Sequence, residues 1–184
     1  MKRMGWLFVL ALAVPGTAAA QSVVWSAAPG AFVDPDFGEG TEVGPALVLG
    51  ETLRADQRIA LVVDVALARM DFPVAADQFH RNIGSATVAV KLMAGDARAG
   101  FGLSLGMGVL AWDDISKTDP GFRSSANANQ TFVPGFVTRF AVGESWGVTL
   151  FAHDHVTGLV NRILDPDEGD LNHHFVLGGG VYFR

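Results

Sequence analysis

The alternation of side chains between Gly100 and Trp112 (GFGLSLGMGVLAW) is the feature that most constrains the fold of this chain. Successive side chains of a β-strand point to opposite faces, so every second residue shares a face. One set is continuously apolar and the other is mostly small or polar. The first set is Phe101, Leu103, Leu105, Met107, Val109 and Ala111; the second is Gly102, Ser104, Gly106, Gly108, Leu110 and Trp112. This pattern is typical of a membrane-spanning barrel strand, with apolar residues against lipid and small ones in the lumen.

The first 20 residues have the features of a secretory signal peptide. Lys2 and Arg3 give a positive start, and the apolar run 4–14 is shorter than the roughly 20 helical residues that cross a bilayer. Ala18-Ala19-Ala20 supplies the small residues of a cleavage site before Gln21. The sequence therefore predicts a Sec-type signal peptide at 1–20 and a mature domain at 21–184.

The composition of the mature chain limits its class and its partners. With 49% hydrophobic residues and 17% charged residues, the chain is too apolar for disorder, and it contains no cysteine. Without Lys2 and Arg3 it has 11 basic and 19 acidic residues, which argues against nucleic acid as a partner. After Gln21 no apolar run reaches the roughly 18 residues of a spanning helix. A membrane-embedded mature chain must therefore be a closed barrel.

Eight strands are predicted, and the connections between them alternate between long and short. Even strand number, short periplasmic turns and longer external loops are the features of bacterial outer-membrane barrels. We therefore predict an all-β, eight-stranded antiparallel up-and-down transmembrane β-barrel whose interior is filled by side chains. One of the long connections is predicted at Met70–Asn82. The predicted strands are Ser22–Val33, Gly44–Thr52, Arg58–Arg69, Ile83–Met93, Ala99–Trp112, Thr131–Val142, Trp146–Val156 and Asn172–Arg184.

With the last strand in view, the chain resembles the small eight-stranded outer-membrane barrel family, the OmpA/OmpX-like group. The resemblance depends on the Ala18-Ala19-Ala20 export site, the strand and turn alternation, and the alternating segment Phe175–Phe183. It implies a monomer in the cell outer membrane, in contact with outer-membrane lipid and lipopolysaccharide. It also implies assembly by the barrel-assembly machinery through the C-terminal strand. Such strands usually close on an aromatic residue, whereas here Arg184 follows Phe183.

Charged residues on the predicted lumen faces form a candidate polar network. Asp64, Lys91 and Arg139, with Glu51, project toward the lumen from different strands, and His153 is expected to join them. Charges buried in such a place should pair. The network is therefore predicted to be structural and to close the lumen, with a gated conduit as the alternative.

Three histidines are the candidates for a metal site. His153 and His155 are two residues apart and share a face, and the last hairpin places His174 roughly opposite His155. Three imidazoles near the external rim could hold zinc, whereas an interior polar network at the barrel mouth would look the same in sequence. We predict no metal and no cofactor, and zinc titration is the test of the histidines.

The predicted function is a structural or surface-interaction role with a closed or narrow lumen and no catalysis. A barrel enzyme acting on envelope lipid would need a serine, a histidine and a carboxylate together, and no serine lies at a convincing spacing from His153-Asp154-His155. A soluble periplasmic lipocalin-like barrel that binds an apolar ligand is the main alternative, and it requires the Phe101–Ala111 face to point inward. Three tryptophans lie near predicted strand ends, as the residues of interfacial girdles do, although core tryptophans would look the same in sequence: Trp25, Trp112 and Trp146.

Overall fold

The computed structural model describes residues 23–35, 41–54, 58–74, 77–96, 98–119, 121, 126–159 and 170–183. Eight antiparallel strands, each paired with its neighbours in the sequence, form a closed barrel, and β1 pairs with β8 to complete it. The strands are β1 (Val23–Asp34), β2 (Glu42–Arg54), β3 (Ile59–Val74), β4 (Asp77–Gly95), β5 (Ala99–Ser116), β6 (Asn127–Ala141), β7 (Trp146–Thr157) and β8 (Asn172–Phe183). The predicted fold class is confirmed. The predicted signal peptide lies outside the described residues.

The side chains of β5 alternate as the sequence predicts. Leu103, Leu105 and Met107 are 62%, 61% and 65% exposed on the outer surface, whereas Leu110 on the opposite face is 2% exposed. Other strands add large exposed apolar side chains to this outer surface, among them Leu67, Val90 and Leu150. A contiguous apolar surface of this extent matches the lipid-facing band of a transmembrane barrel. The lipocalin-like alternative is therefore wrong, because it required this face to line an interior site.

The two ends of the barrel differ in their connections. Residues 55–58, 96–98 and 142–145 join strands at one end, which we call the turn end. The other end, here the loop end, carries the longer connections 35–41, 117–126 and 158–171 together with the β3–β4 hairpin. No helix among the described residues is long and apolar enough to cross a membrane.

An apolar cluster fills the interior in the half of the barrel nearer the loop end. Its members are inward-facing residues from six strands: Phe32, Val48, Ala66, Met70, Ile83, Leu110 and Val176. Such side chains occupy the narrow interior that eight strands enclose, as predicted from the strand number. The cluster separates the two chambers that are described below.

The prediction of a long loop at Met70–Asn82 is wrong. β3 continues to Val74 and β4 begins at Asp77, and the two strands stay paired along this whole length. β5 likewise continues to Ser116, so three strands project at the loop end. The segments 69–74, 77–82 and 113–117, here called the β3–β5 extension, pair only with one another among the described strands. Their polar sequence lacks the alternation of apolar and small residues that lipid-facing strands show, and the sequence pattern therefore predicts a loop there.

The tryptophans do not all belong to an interfacial girdle. Trp146, at the start of β7, is 40% exposed on the outer surface at the turn end, as a girdle residue would be. Trp112 lies on the inward face of β5 and lines an interior cavity, so the girdle prediction is wrong for it. Trp25 lies in β1, and its side chain is outside the described part of the structure.

Candidate functional site

Four of the five residues predicted to form a lumen network line one internal cavity. This cavity, here called the inner chamber, has a volume of about 30 Å³. Asp64, Lys91, Arg139 and His153 reach it from β3, β4, β6 and β7. The remaining lining residues are Ser26, Ala28, Val48, Thr52, Val137, Thr149, Phe151 and Tyr182. The structure thus brings together side chains that are far apart in the sequence.

Glycines on neighbouring strands make room for the large polar side chains of the chamber. A Cβ atom at Gly50 would collide with the carboxylate of Asp64, and one at Gly135 would collide with the ring of His153. A Cβ atom at Gly147 would come equally close to the Tyr182 hydroxyl. The small residues in the sequence therefore lie opposite the bulky polar ones, which lets eight strands enclose a filled interior.

Arg139 is held by two kinds of contact inside the chamber. Its Nη2 donates a hydrogen bond of 3.1 Å to Thr52 Oγ1, and its guanidinium carbon lies 5.4 Å from the centre of the Tyr182 ring. The second contact is a cation–π interaction, which is stronger away from water. Lys91 and Arg139 are 5% and 7% exposed, and both interact electrostatically with Asp64.

Glu51 does not face the lumen, contrary to expectation. In β2, Leu47 and Leu49 are exposed on the outer surface and Val48 and Thr52 are buried inside. Glu51 belongs by alternation to the outward set, next to the inward Thr52. The described carboxylate of the inner chamber is therefore Asp64 and not Glu51.

The three candidate metal-binding histidines are divided between two cavities. His155 and His174 are direct partners in the β7–β8 ladder. His153 lines the inner chamber, deeper than the rim position expected for it, whereas His174 lines a second cavity. His174 Nδ1 lies 3.2 Å from Asp34 Oδ2. In the described part of the chain, no group of three or more His, Asp or Glu side chains is arranged to hold a metal ion.

The second cavity, here called the outer chamber, lies on the loop-end side of the apolar cluster and is also about 30 Å³ in volume. It is lined by Phe32, Asp34, Arg81, Ile83, Leu110, Trp112 and His174. Arg81 lies 5.7 Å from the centre of the Trp112 ring. Sequence reasoning missed this cavity because Arg81 fell in a predicted loop. The continued alternation of β5 to Trp112 was the signal that could have indicated it.

Charged side chains of the β3–β5 extension form pairs across its strands. Arg81 makes a bidentate ion pair with Asp114, with Nε–Oδ1 and Nη2–Oδ2 distances of 2.7 and 2.9 Å. Lys117 Nζ lies 3.1 Å from Asp71 Oδ2, and His80 contacts the same carboxylate. These cross-strand pairs explain why a polar segment forms an ordered sheet.

Around the histidines, the described residues are not arranged as a catalytic triad. Ser104 Oγ approaches the same side of Gly135 as the ring of His153. Both side chains face the inside of the barrel, whereas an envelope lipid would contact its outer surface.

The closed strand order and the apolar outer surface define the chain as an eight-stranded transmembrane β-barrel with the fold of the small outer-membrane barrels. Among solved structures it is similar to Neisserial surface protein A, NspA, with a TM-score of 0.58 and 11% identity over 89% of this chain and 98% of that one. It is also similar to Ail, the attachment invasion locus protein of Yersinia pestis, with a TM-score of 0.53 and 12% identity over 89% and 97% of the two chains. Ail has also been solved in complex with the heparin analogue sucrose octasulfate. At these identities the likeness shows a shared fold. No protein-family model and no curated protein sequence matches the chain.

Proposed function

We propose that this protein is an outer-membrane β-barrel of a diderm bacterium, with a closed lumen and a structural or surface-interaction role. The observation that carries the proposal is the combination of an apolar outer belt with an interior blocked by the cluster around Phe32, Leu110 and Val176. The belt requires a membrane, and the blocked interior leaves no path for a solute. Because the same cluster encloses the interior, we also propose that the barrel catalyses no reaction.

The loop end is assigned to the outside of the cell. Longer external loops and short periplasmic turns are the rule in bacterial outer-membrane barrels. In this orientation the β3–β5 extension projects above the outer leaflet and presents Asp71, Gln78 and Lys117 at the cell surface. The extension is the proposed surface for contacts with lipopolysaccharide headgroups or with another cell surface. Ail shares this fold and is named for attachment, which is compatible with this assignment.

Export and assembly follow from the same proposal. The signal peptide at 1–20 directs the chain through the Sec pathway, and the mature domain 21–184 folds as a monomer. The barrel-assembly machinery engages β8, which ends at Phe183 and closes the barrel against β1. No cofactor is required.

Cysteine labelling of intact cells tests location and orientation together. The chain contains no cysteine, so single substitutions are unambiguous. Gln78→Cys lies in the β3–β5 extension, and its matched control Glu144→Cys lies in an exposed connection at the turn end. With a membrane-impermeant maleimide, we expect Gln78→Cys to react on intact cells and Glu144→Cys to react only after lysis. Labelling in the reverse order would overturn the orientation, and release of the protein by osmotic shock without detergent would overturn the membrane location.

Planar-bilayer recording tests the closed lumen. The purified barrel is expected to give no steps above the bare-bilayer baseline, because the apolar cluster separates the two chambers. Regular single-channel steps from the refolded barrel would show that the lumen conducts.

Overexpression is expected to leave the mass of lipid A unchanged, and a shifted mass would favour the enzyme alternative.

A further inference from the structure

The outward face of the β3–β5 extension continues the lipid-facing face of the barrel. In β3, Leu67 is 51% exposed on the outer surface, whereas Met70 is 1% exposed and points inward. Arg69 is exposed, and by alternation it belongs to the same outward set as Leu67. It is therefore the first outward side chain of β3 above the apolar belt, at the level of the lipid headgroups.

The guanidinium group of Arg69 has no partner within the described part of the chain. None of the hydrogen bonds and ion pairs between described residues involves this side chain. Its direct ladder partner is Asn82, whose Nδ2 donates a hydrogen bond of 3.0 Å to Asp113 Oδ1. The next outward residue of β3 is Asp71, whose Oδ2 lies 3.1 Å from Lys117 Nζ. The two outward carboxylates of the neighbouring positions thus contact other groups.

An arginine side chain at this level matches a phosphate group. Its guanidinium presents a planar fork of N–H donors that binds phosphate oxygens in a bidentate manner. A lipid whose acyl chains pack against Leu61 and Leu67, both exposed on the outer surface, carries its phosphate to the height of Arg69. Because the belt already holds the lipid beside the strand, the phosphate is present there at a high effective concentration.

The charge of the loop end disfavours a large dissolved polyanion as the ligand. The chain has 19 acidic and 13 basic residues, and the carboxylates of Asp71, Asp119 and Asp170 are exposed at this end. A dissolved polyanion would approach these carboxylates together with Arg69, and like charges repel. The phosphate of a neighbouring lipid instead approaches from the side, along the face that carries Arg69.

We propose that Arg69 binds the phosphate group of a lipid in the outer leaflet, so that the outward face of the β3–β5 extension fixes one lipid molecule against the barrel. The inference deepens the surface role proposed above and rests on the membrane location and orientation given there. It assigns this face of the extension to the surrounding lipid and not to a partner above the membrane.

Competition between two lipids tests the proposal on the detergent-folded barrel. The protein is mixed with equal amounts of phosphatidic acid, whose headgroup is a phosphate monoester, and of phosphatidylcholine with the same acyl chains. EDTA is present to remove bridging divalent cations, and native mass spectrometry counts the bound lipids. We expect one phosphatidic acid to be retained per barrel in preference to phosphatidylcholine, and millimolar inorganic phosphate not to displace it. Equal retention of the two lipids, or displacement by inorganic phosphate, overturns the proposal.

Three variants separate Arg69 from a general charge effect. Arg69→Gln should lower the preference for phosphatidic acid about five-fold, the contribution typical of one arginine at an anionic membrane surface. Arg69→Lys keeps the charge without the fork and should give an intermediate preference. Lys117→Gln is the matched control, because it removes one cation of the same extension that Asp71 already contacts, and the preference should be unchanged. An unaltered preference in Arg69→Gln, or an equal loss in Lys117→Gln, contradicts the proposal.

A nitroxide label shows where on the barrel the lipid binds. Val43→Cys lies on the outer surface of the adjoining β2 at the loop end, and its matched control Phe183→Cys lies on the outer surface at the turn end. The label at Val43 should enhance the phosphorus NMR relaxation of added phosphatidic acid more than the label at Phe183. The difference should disappear when Arg69→Gln is added. Equal enhancement from both labels would place the lipid elsewhere and overturn the proposal.

The cell-labelling experiment with Gln78→Cys keeps this inference separate from the proposed function. If Gln78→Cys reacts on intact cells and the detergent-folded barrel shows no preference for phosphatidic acid, the lipid site is wrong and the surface role stands. If the labelling order is reversed, the proposed orientation is wrong, and the outer leaflet as the source of the phosphate is wrong with it.

Discussion

The inner chamber and the β3–β5 extension use the same kinds of charged residue in opposite surroundings. In the chamber, Lys91 and Arg139 are almost fully enclosed, and both interact electrostatically with Asp64. In the extension, Arg81 makes a bidentate pair with Asp114, and Asp71 contacts both Lys117 and His80 near water. The free energy that each charge contributes to folding should therefore depend on its solvation and not on the number of ion pairs. A charge change in the chamber should be costly, whereas one in the extension should be tolerated.

The largest effect is expected from Asp64→Asn, which keeps the shape of the side chain and removes its charge. Because the enclosed Lys91 and Arg139 then lose their interaction with the charge of this side chain, the free energy of unfolding should fall by about 3–5 kcal/mol. Urea titration of the barrel in lipid vesicles measures the loss. Asp71→Asn in the extension is the matched control. A loss at Asp64 no larger than that at Asp71 would contradict the distinction between the two regions.

The second-largest effect is expected on the outer surface of β5, at the level of the inner chamber. Leu105→Arg places a charge on the lipid-facing side near the middle of β5. The expected loss is about 2–4 kcal/mol, as for arginine at the bilayer midplane. Leu105→Met controls for the change of shape and should be nearly neutral. If Leu105→Arg unfolds at the same urea concentration as the unaltered chain, this face does not contact hydrocarbon.

A smaller effect is expected at the least exposed of the described ion pairs in the extension. Arg81 and Asp114 are each less than one-fifth exposed and joined by two hydrogen bonds. Arg81→Gln should lower the free energy of unfolding by about 1.5 kcal/mol. Lys117→Gln breaks a more exposed pair and should cost below about 0.5 kcal/mol. A reversed order of these two losses would show that exposure does not control the contribution of the pairs.

The smallest effect is a pH dependence at the turn end. Backbone N–H groups of Ala99 and then Arg98 donate to Asp96 and hold its pKa below the ordinary 3.8. A lowered pKa means that this carboxylate stabilises the fold above pH 3.8, and that the contribution disappears as the pH falls through the lower value of the folded state. Asp96→Asn should therefore narrow the difference between urea midpoints measured at about pH 5 and about pH 3. If the difference between the two midpoints is the same in Asp96→Asn and in the unaltered chain, the hydrogen bonds to Asp96 do not contribute to stability.

The alternation of side chains made the membrane-embedded part of the fold predictable. In β5 the choice between lipid and lumen followed from Leu103, Leu105 and Met107 alternating with Ser104 and small residues, because a strand offers two faces. The same alternation placed Asp64 and Lys91 on inward faces. The prediction for Glu51 was wrong because it followed the rule that charged side chains face the lumen, whereas alternation along β2 puts this residue in the outward set.

The loop end was less predictable, for a physical reason. Above the lipid, both faces of a strand meet water, so the apolar alternation that indicates a strand disappears. Pairs such as Asp71 with His80 depend on the register of β3 and β4, which the sequence does not show directly. The inner chamber was predictable as a group of residues.

Nitroxide scanning along β5 decides whether its apolar face meets lipid, since the native chain contains no cysteine to interfere. Single cysteines at Leu103, Ser104, Leu105 and Met107 are spin-labelled in the barrel reconstituted in lipid vesicles. We predict high accessibility to dissolved oxygen at the three apolar positions and low accessibility at Ser104, which faces the interior. High accessibility at Ser104 with protection at Leu103, Leu105 and Met107 would contradict a lipid-facing belt.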